Sequence, residues 1–277
     1  MPNDSRFAVL IDADNVSVRY IKLILDEISK DGIATYKRIY GDWTNPALIS
    51  WKSALLDNSV IPIQQYSYTT GKNATDSAMI IDAMDILYSG QVEGFCLVSS
   101  DSDFTRLAAR LRESGMTVVG MGESKTPNSF IAACNKFKYL DILSAADEDD
   151  PEEPPKPEPG RKPASQKEKK AAPRKAVKTA QKSKEDSKPA AQEEPKTSLR
   201  TIRKALRTIV RENSDEDNWI FIGKVGNILG KRYPDFDVRN FGFSKLTPFL
   251  DSLDLFEIKS ERKDNNSSPQ MYVRLKG

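Results

Sequence analysis

The sequence predicts an α/β domain built on a parallel sheet over residues 1–144, a disordered charged linker over 145–197, and a small winged helix-turn-helix domain over 198–277. Three observations carry this reading. Apolar strand-like runs alternate with segments of helical periodicity through the first half of the chain, the pattern of a Rossmann-like sheet covered by helices on both faces. Residues 145–197 are Ala, Pro, Lys, Glu, Ser and Gln with almost no large apolar side chain, so burial cannot repay the entropy of ordering them. The last 80 residues hold three helical patterns and a closing strand pair.

In the first segment Phe7–Ile11 reads as a fully buried strand, and Ile21, Ile24, Leu25 and Ile28 follow at helical spacing. Ala34–Tyr40 is a second strand. Asn45 and Pro46 open a helix, with Leu48, Trp51 and Leu55 on one face. Val60–Gln64, Gly94–Ser99 and Thr117–Met121 are further strands, interleaved with helices at Thr75–Tyr88 and Phe104–Ser114, and Thr126-Pro127 opens one more helix. In the third segment the helices are Leu199–Val210, Ile222–Leu229 and Phe241–Leu253. Phe256–Ile258 and Met271–Leu275 pair across the polar turn 260–270.

Composition removes several kinds of chemistry. The 277 residues contain no histidine, which excludes histidine-based nucleophile systems, histidine-ligated metals and any imidazole acid or base. Cys96 and Cys134 sit in apolar stretches without CxxC spacing and read as buried core thiols. No apolar window approaches membrane-span length, and Met1–Arg6 runs straight into a strand, so the expectation is a cytoplasmic protein that does not contact membrane. The net charge of +2 hides a division. Basic residues number 14 against 17 acidic ones in 1–144, 13 against 12 in 145–197, and 15 against 11 in 198–277. The linker itself is acidic at Asp147–Glu158 and basic at Arg161–Lys184; a flexible chain of its length spans on the order of 40 Å, so the flanking domains are expected to move independently.

Polar residues just after apolar strands mark the ligand crevice of an open α/β sheet. Here two such ends are acidic: Asp12 in IDADN, with Asp14 and Asn15, and Asp101 with Asp103 in LVSSDSDF. Asp76 falls in the first turn of a helix, in NATDSAM. Any one of these acids serves equally well as a cap or turn former; their convergence, if the first and fourth strands are neighbours, is what points to function. Clustered carboxylates repel, and a hard divalent ion such as Mg2+ or Mn2+ is their natural counterpart. Such an ion assists phosphoryl displacement. Asp82 and Asp85 lie too far along the helix to join the crevice.

On these motifs, residues 6–143 resemble an NYN domain of the LabA-like type, within the PIN-like nuclease superfamily: IDADN, the helix-opening TD at Asp76 and SSDSDF occur in order. The resemblance implies a Mg2+- or Mn2+-dependent ribonuclease, a hydrolase in which Asp12, Asp76, Asp101 and Asp103 are metal ligands or orient water. It also implies that Asn15, Ser100 and Lys72 contact substrate. The sequence departs from the pattern at Asn135, where relatives often carry an acid, and this leaves open a non-catalytic RNA- or protein-binding adaptor. A minor alternative rests on the DxDxV run at Asp12–Val16, which also fits a haloacid-dehalogenase-like phosphatase, although the later acids are spaced differently from that pattern.

Residues 198–277 resemble the LOTUS domain, also called OST-HTH, through Trp219-Ile220, GKVGNIL at 223–229, YPDFDVRNFG at 233–242 and MYVRL at 271–275. The resemblance implies binding of single-stranded or structured RNA, or of a protein partner. Lys224, Lys231, Arg232, Arg239 and Lys245 surround the second and third helices, where a helix-turn-helix meets phosphates. Phe236, Phe241, Phe249 and Leu250 read as core.

Overall fold

The computed structural model describes residues 5–66, 74–148, 197–262 and 269–276. The linker expected over 145–197 lies almost wholly outside them, as does most of the turn 260–270. Six strands form one sheet: β1 (Arg6–Asp12), β2 (Ile33–Gly41), β3 (Ile61–Gln64), β4 (Gly94–Val98), β5 (Thr117–Gly122) and β6 (Lys136–Tyr139). Their order is β3-β2-β1-β4-β5-β6, and every neighbouring pair is parallel. The helices that join them are α1 (Ile21–Ser29), α2 (Trp51–Asp57), α3 (Ala74–Ser89), α4 (Thr105–Glu113), α5 (Asn128–Ala133) and α6 (Leu140–Glu148).

A strand buried on both faces must be apolar along its buried length, and Phe7–Ile11 of β1 and the whole of β4 are. Ala8, Leu10, Phe95 and Leu97 face one core layer, with Met79 of α3 and Leu107 of α4; Val9, Ile11, Cys96 and Val98 face the other, with Ile24 of α1 and Trp51 of α2. Both cysteines are buried thiols. At the helix opened by Asn45, the Asn45 Oδ1 accepts the Ala47 N–H at 3.0 Å, and a 3-10 turn at Pro46–Leu48 precedes α2.

The C-terminal module consists of α7 (Leu199–Asn213), β7 (Ile220–Phe221), α8 (Ile222–Arg232), α9 (Leu246–Ser252), β8 (Phe256–Glu261) and β9 (Gln270–Leu275). The three strands pair antiparallel in the order β7-β9-β8, which is a winged helix. Ile202, Leu206, Val225, Leu229, Phe249 and Val273 form its core. The helix expected over 241–253 is shorter, running only from Leu246 to Ser252. A 3-10 turn at Val238–Phe241 ends on Gly242, whose φ of 78° is left-handed, and α9 starts only at Leu246.

Two further expectations are corrected. β6 and α6 fall where the sequence reading placed no element, because KFKY looks polar. Its Lys138 is nevertheless buried, 3.1 Å from Glu27 and 2.9 Å from Asp31, both acids of the α1 end. The flanking modules, expected to move independently, pack into one compact unit. The Phe137 N–H of edge strand β6 donates to the Pro234 carbonyl at 2.7 Å, so the C-terminal module satisfies an otherwise open sheet edge. Arg239 donates to both carboxylate oxygens of Glu27, at 2.6 and 2.9 Å. Buried Asp235 accepts from Tyr139 Oη at 3.2 Å and from the Thr197 hydroxyl at 2.6 Å. Burial alone would raise the Glu27 carboxyl; hydrogen bonds from Arg239 and Lys30 and the charge of Lys138 hold it well below the usual carboxylate range.

Removing one partner of a buried ion pair strands the other charge. Arg239→Ala should therefore lower unfolding stability by about 2–4 kcal/mol, less than the full cost of a broken pair because Lys30 and Lys138 remain on Glu27. Hydrogen exchange at the Phe137 amide should accelerate with it. Unchanged exchange at Phe137 would show that Arg239 does not hold the modules together.

Candidate metal centre

The strand order reverses direction between β1 and β4, and ligands of doubly wound sheets sit beyond the carboxyl ends of the strands at that point. Asp12 is the last residue of β1 and is fully buried. Its Oδ2 accepts from Asn15 Nδ2 and from Ser99 Oγ, both at 2.7 Å, while Oδ1 accepts the Asp14 N–H at 3.1 Å. Ser99, just past β4, turns its hydroxyl both ways, because Ser99 Oγ also accepts the Asp101 N–H at 3.1 Å. One buried hydroxyl thereby ties the two acidic strand ends together.

Asp101 caps the 3-10 turn Ser102–Phe104, its Oδ1 accepting the Asp103 N–H at 2.9 Å. Asp76 sits in the first turn of α3, where the helix dipole favours an anion. Carboxylate oxygens of Asp76, Asp101 and Asp103 all lie within 4.8 Å of one another. Asp12 stands behind this triangle. It is held by its three donors, and it is burial that raises its pKa despite them. The Asp76 carboxyl is pushed up to about 6, first by burial and then by the charges of Asp12, Asp101, Asp103 and Asp14. Negative charge is thus concentrated where three hard oxygen donors converge, a donor set that suits Mg2+ or Mn2+.

Gly122 at the end of β5 sets the tightness of this floor: a Cβ there would meet the Ser99 carbonyl at 2.6 Å. Other expected site residues fall elsewhere. Asn15 is engaged with Asp12. The Ser100 hydroxyl accepts the Glu123 N–H at 3.0 Å, joining the loops after β4 and β5. Lys72 lies outside the described residues. Asp82 is turned away from the crevice toward Arg38 and Tyr40. The sequence reading passed over Ser99, whose signal was its place as the first residue past an apolar strand, and Glu123, the acid that follows β5.

Residues 6–141 match the model of the NYN domain, and residues 197–268 match the model of the OST-HTH/LOTUS domain. The chain carries an NYN domain followed by an OST-HTH/LOTUS domain. Among solved structures it is similar to a protein of unknown function from Vibrio parahaemolyticus, at 17% identity and a TM-score of 0.42, over 50% of this chain and 93% of that one. It is also similar to an uncharacterized protein from Nitrosomonas europaea, at 33% identity and a TM-score of 0.26, over 35% of this chain and 92% of that one. No curated protein matches it. The NYN domain belongs to a nuclease superfamily, and among the described residues no helix is long and apolar enough to cross a membrane.

Within the NYN domain, Asn135 precedes β6 at the opposite end of the sheet from the acids. Its Oδ1 accepts the Val118 N–H at 2.8 Å, and its own N–H donates to the Val118 carbonyl. It pins the start of β6 to β5, which gives this side chain a structural role. On the LOTUS domain, Lys224, Lys231, Arg232 and Lys245 are exposed. Arg239, expected at the nucleic-acid surface, is instead half-buried and committed to Glu27 and Asp237. The buried acid of the NYN domain competes for it more strongly than solvent-exposed phosphates would.

The raised Asp76 pKa has a definite sign. Between the ordinary value of 3.8 and about 6 the folded chain binds the proton more tightly, so stability is lost as pH rises through that window. Asp76→Asn should stabilise the metal-free protein above pH 6 by about 1–2 kcal/mol, discounted for solvent screening, and by little near pH 4. Thermal unfolding in EDTA at both pH values measures this; equal gains at both would mean that the carboxylates do not crowd Asp76.

Proposed function

We propose that the protein is a divalent-metal-dependent ribonuclease whose NYN domain cuts RNA held by the LOTUS domain. The observation that carries the reading is the convergence of Asp76, Asp101 and Asp103 within 4.8 Å, at the switch point of a domain from a nuclease superfamily. These three side chains would hold Mg2+ or Mn2+, which supplies charge neutralisation on a phosphodiester and a more acidic water. Asp12, buried and fixed by Asn15 and Ser99, adds negative charge behind them and keeps the floor rigid. Asp76, whose carboxyl is pushed up to about 6 by burial and neighbouring charge, has to give up its proton before it can hold a cation. The active form therefore accumulates as pH rises past about 6.

Mn2+ should raise the melting temperature of the wild type by mass action, and by much less in Asp76→Asn. Asp101→Asn keeps a side-chain acceptor for the Asp103 N–H, so it preserves the cap while removing a charge. Cleavage of labelled single-stranded RNA in Mn2+ should fall by at least about 10²-fold in this variant, the scale of losing one electrostatic contact to a transition state. Equal rates in the variant and wild type would remove the catalytic claim and leave an RNA-binding adaptor. Turnover of a small phosphomonoester without any action on RNA would favour a phosphatase instead.

A further inference from the structure

The first helix of the LOTUS domain carries a feature that the recognition-helix reading does not use. Arg200, Arg203, Lys204, Arg207 and Arg211 recur along α7 at spacings of three and four, and all five are exposed. They form a stripe about 16 Å long at 1.5 Å per residue. The opposite face, Ile202, Leu206, Ile209 and Val210, is buried in the core. Among the described residues none of the five forms an ion pair; Arg203 donates only to the Leu253 carbonyl, at 3.3 Å.

The stripe is continuous with a second basic surface. Arg200, Lys204 and Thr208 line one groove together with Arg232 and Tyr233, at the end of α8. Arg232 and Lys231 in turn line a groove that crosses onto the NYN domain, where Arg112 and Lys136, the latter paired with Asp31, form the other wall. Docking through Arg239 and Glu27 is what brings these walls together.

We propose that this track, from Arg211 along α7 to Arg232 and the interdomain groove, is the surface that grips the phosphate backbone of single-stranded RNA. The proposal rests on the reading of the protein as one that acts on RNA, and moves the grip from the second and third helices to the first. Four of the five cations on α7 are arginines, whose planar fork matches phosphate oxygens. Tyr233, half-buried against the LOTUS core, adds an aromatic ring to a groove that also holds Arg200, Lys204 and Arg232. A lipid surface fits less well, because the apolar face of α7 is spent in the core and none is left to enter a bilayer. The interdomain groove opens beside Asn135, at the start of β6, whereas the acids lie past the ends of β1 and β4. The gripped segment is therefore separate from the segment that meets Asp76, Asp101 and Asp103, and longer strands should gain most.

The test is anisotropy of a labelled ~20-nucleotide oligouridine with the full chain in EDTA, over a salt series. EDTA makes the binding result independent of whether the acids catalyse: binding through the track in EDTA, with no cleavage once Mn2+ is restored, would overturn the nuclease and keep this proposal. The triple variant Arg200→Ala, Lys204→Ala, Arg207→Ala changes exposed side chains only, and its melting curve checks folding. It should bind at least tenfold more weakly, with the slope of log K against log salt shallower by about 2, from three lost single-strand contacts. Unchanged affinity would overturn the proposal, as would a loss confined to Lys224→Ala, Lys245→Ala. Binding of phosphatidylserine vesicles through these residues, with none of RNA, would assign the track to a membrane.

Discussion

Parallel pairing of β1 with β4 is the constraint on which the functional reading depends. Asp12 and Asp101 are 89 positions apart in the chain, and neither has a reason to meet the other until those strands lie side by side. Once Leu10 pairs with Leu97 and Ile11 with Val98, the next residues along each strand face one another. Ser99 then bridges the acids with a single hydroxyl. The apolar content of both strands, buried in two core layers, anchors this register. A polar site assembled from charges that repel is held in place by hydrophobic burial beneath it.

Charge organises the rest of the molecule at two depths. At the crevice, burial first and then the gathered carboxylates raise the Asp76 pKa, a local instability that a cation would relieve. At the module boundary the same sign of charge is neutralised internally. Glu27 and Asp31 at the end of α1 meet Lys136 and Lys138 of β6 and Arg239 of the LOTUS domain. Apart from exposed Lys136 these ions are buried or half-buried, so their value lies in geometry more than in net stability: a bidentate arginine and one backbone hydrogen bond at the sheet edge set the orientation of one domain on the other. That orientation joins the basic end of α8 to the basic groove of the NYN domain.

Much of the fold was legible in the chain because it is written in local patterns. Continuous apolar runs announced β1, β4 and β5, and Asn45-Pro46 announced a helical start that proved to be the 3-10 turn ahead of α2. Alternating apolar and basic residues announced α7. The elements that escaped are those whose residues are explained by distant partners. KFKY does not look like a buried strand until Glu27 and Asp31 are seen to neutralise its lysines. Phe241 does not look like a helix end until Gly242 takes its left-handed turn. Arg239 read as a phosphate contact because exposure cannot be inferred from residue type, and Asn135 read as a lost acid because its hydrogen bonds to Val118 are contacts across strands.

By itself the sequence determined the chemistry on offer: no histidine, acids after two apolar strands, and a basic C-terminal domain. It also determined the order of most elements, β6, α6 and the short β7 excepted, since periodicity and capping act over a few residues. Only the tertiary structure decided which acids share a centre, that Asp12 stands behind the triangle, and that the two domains dock through a half-buried arginine on a buried glutamate. Those outcomes depend on pairing and burial between residues tens to hundreds of positions apart, where the free energy of a charge is set by neighbours that no local pattern names.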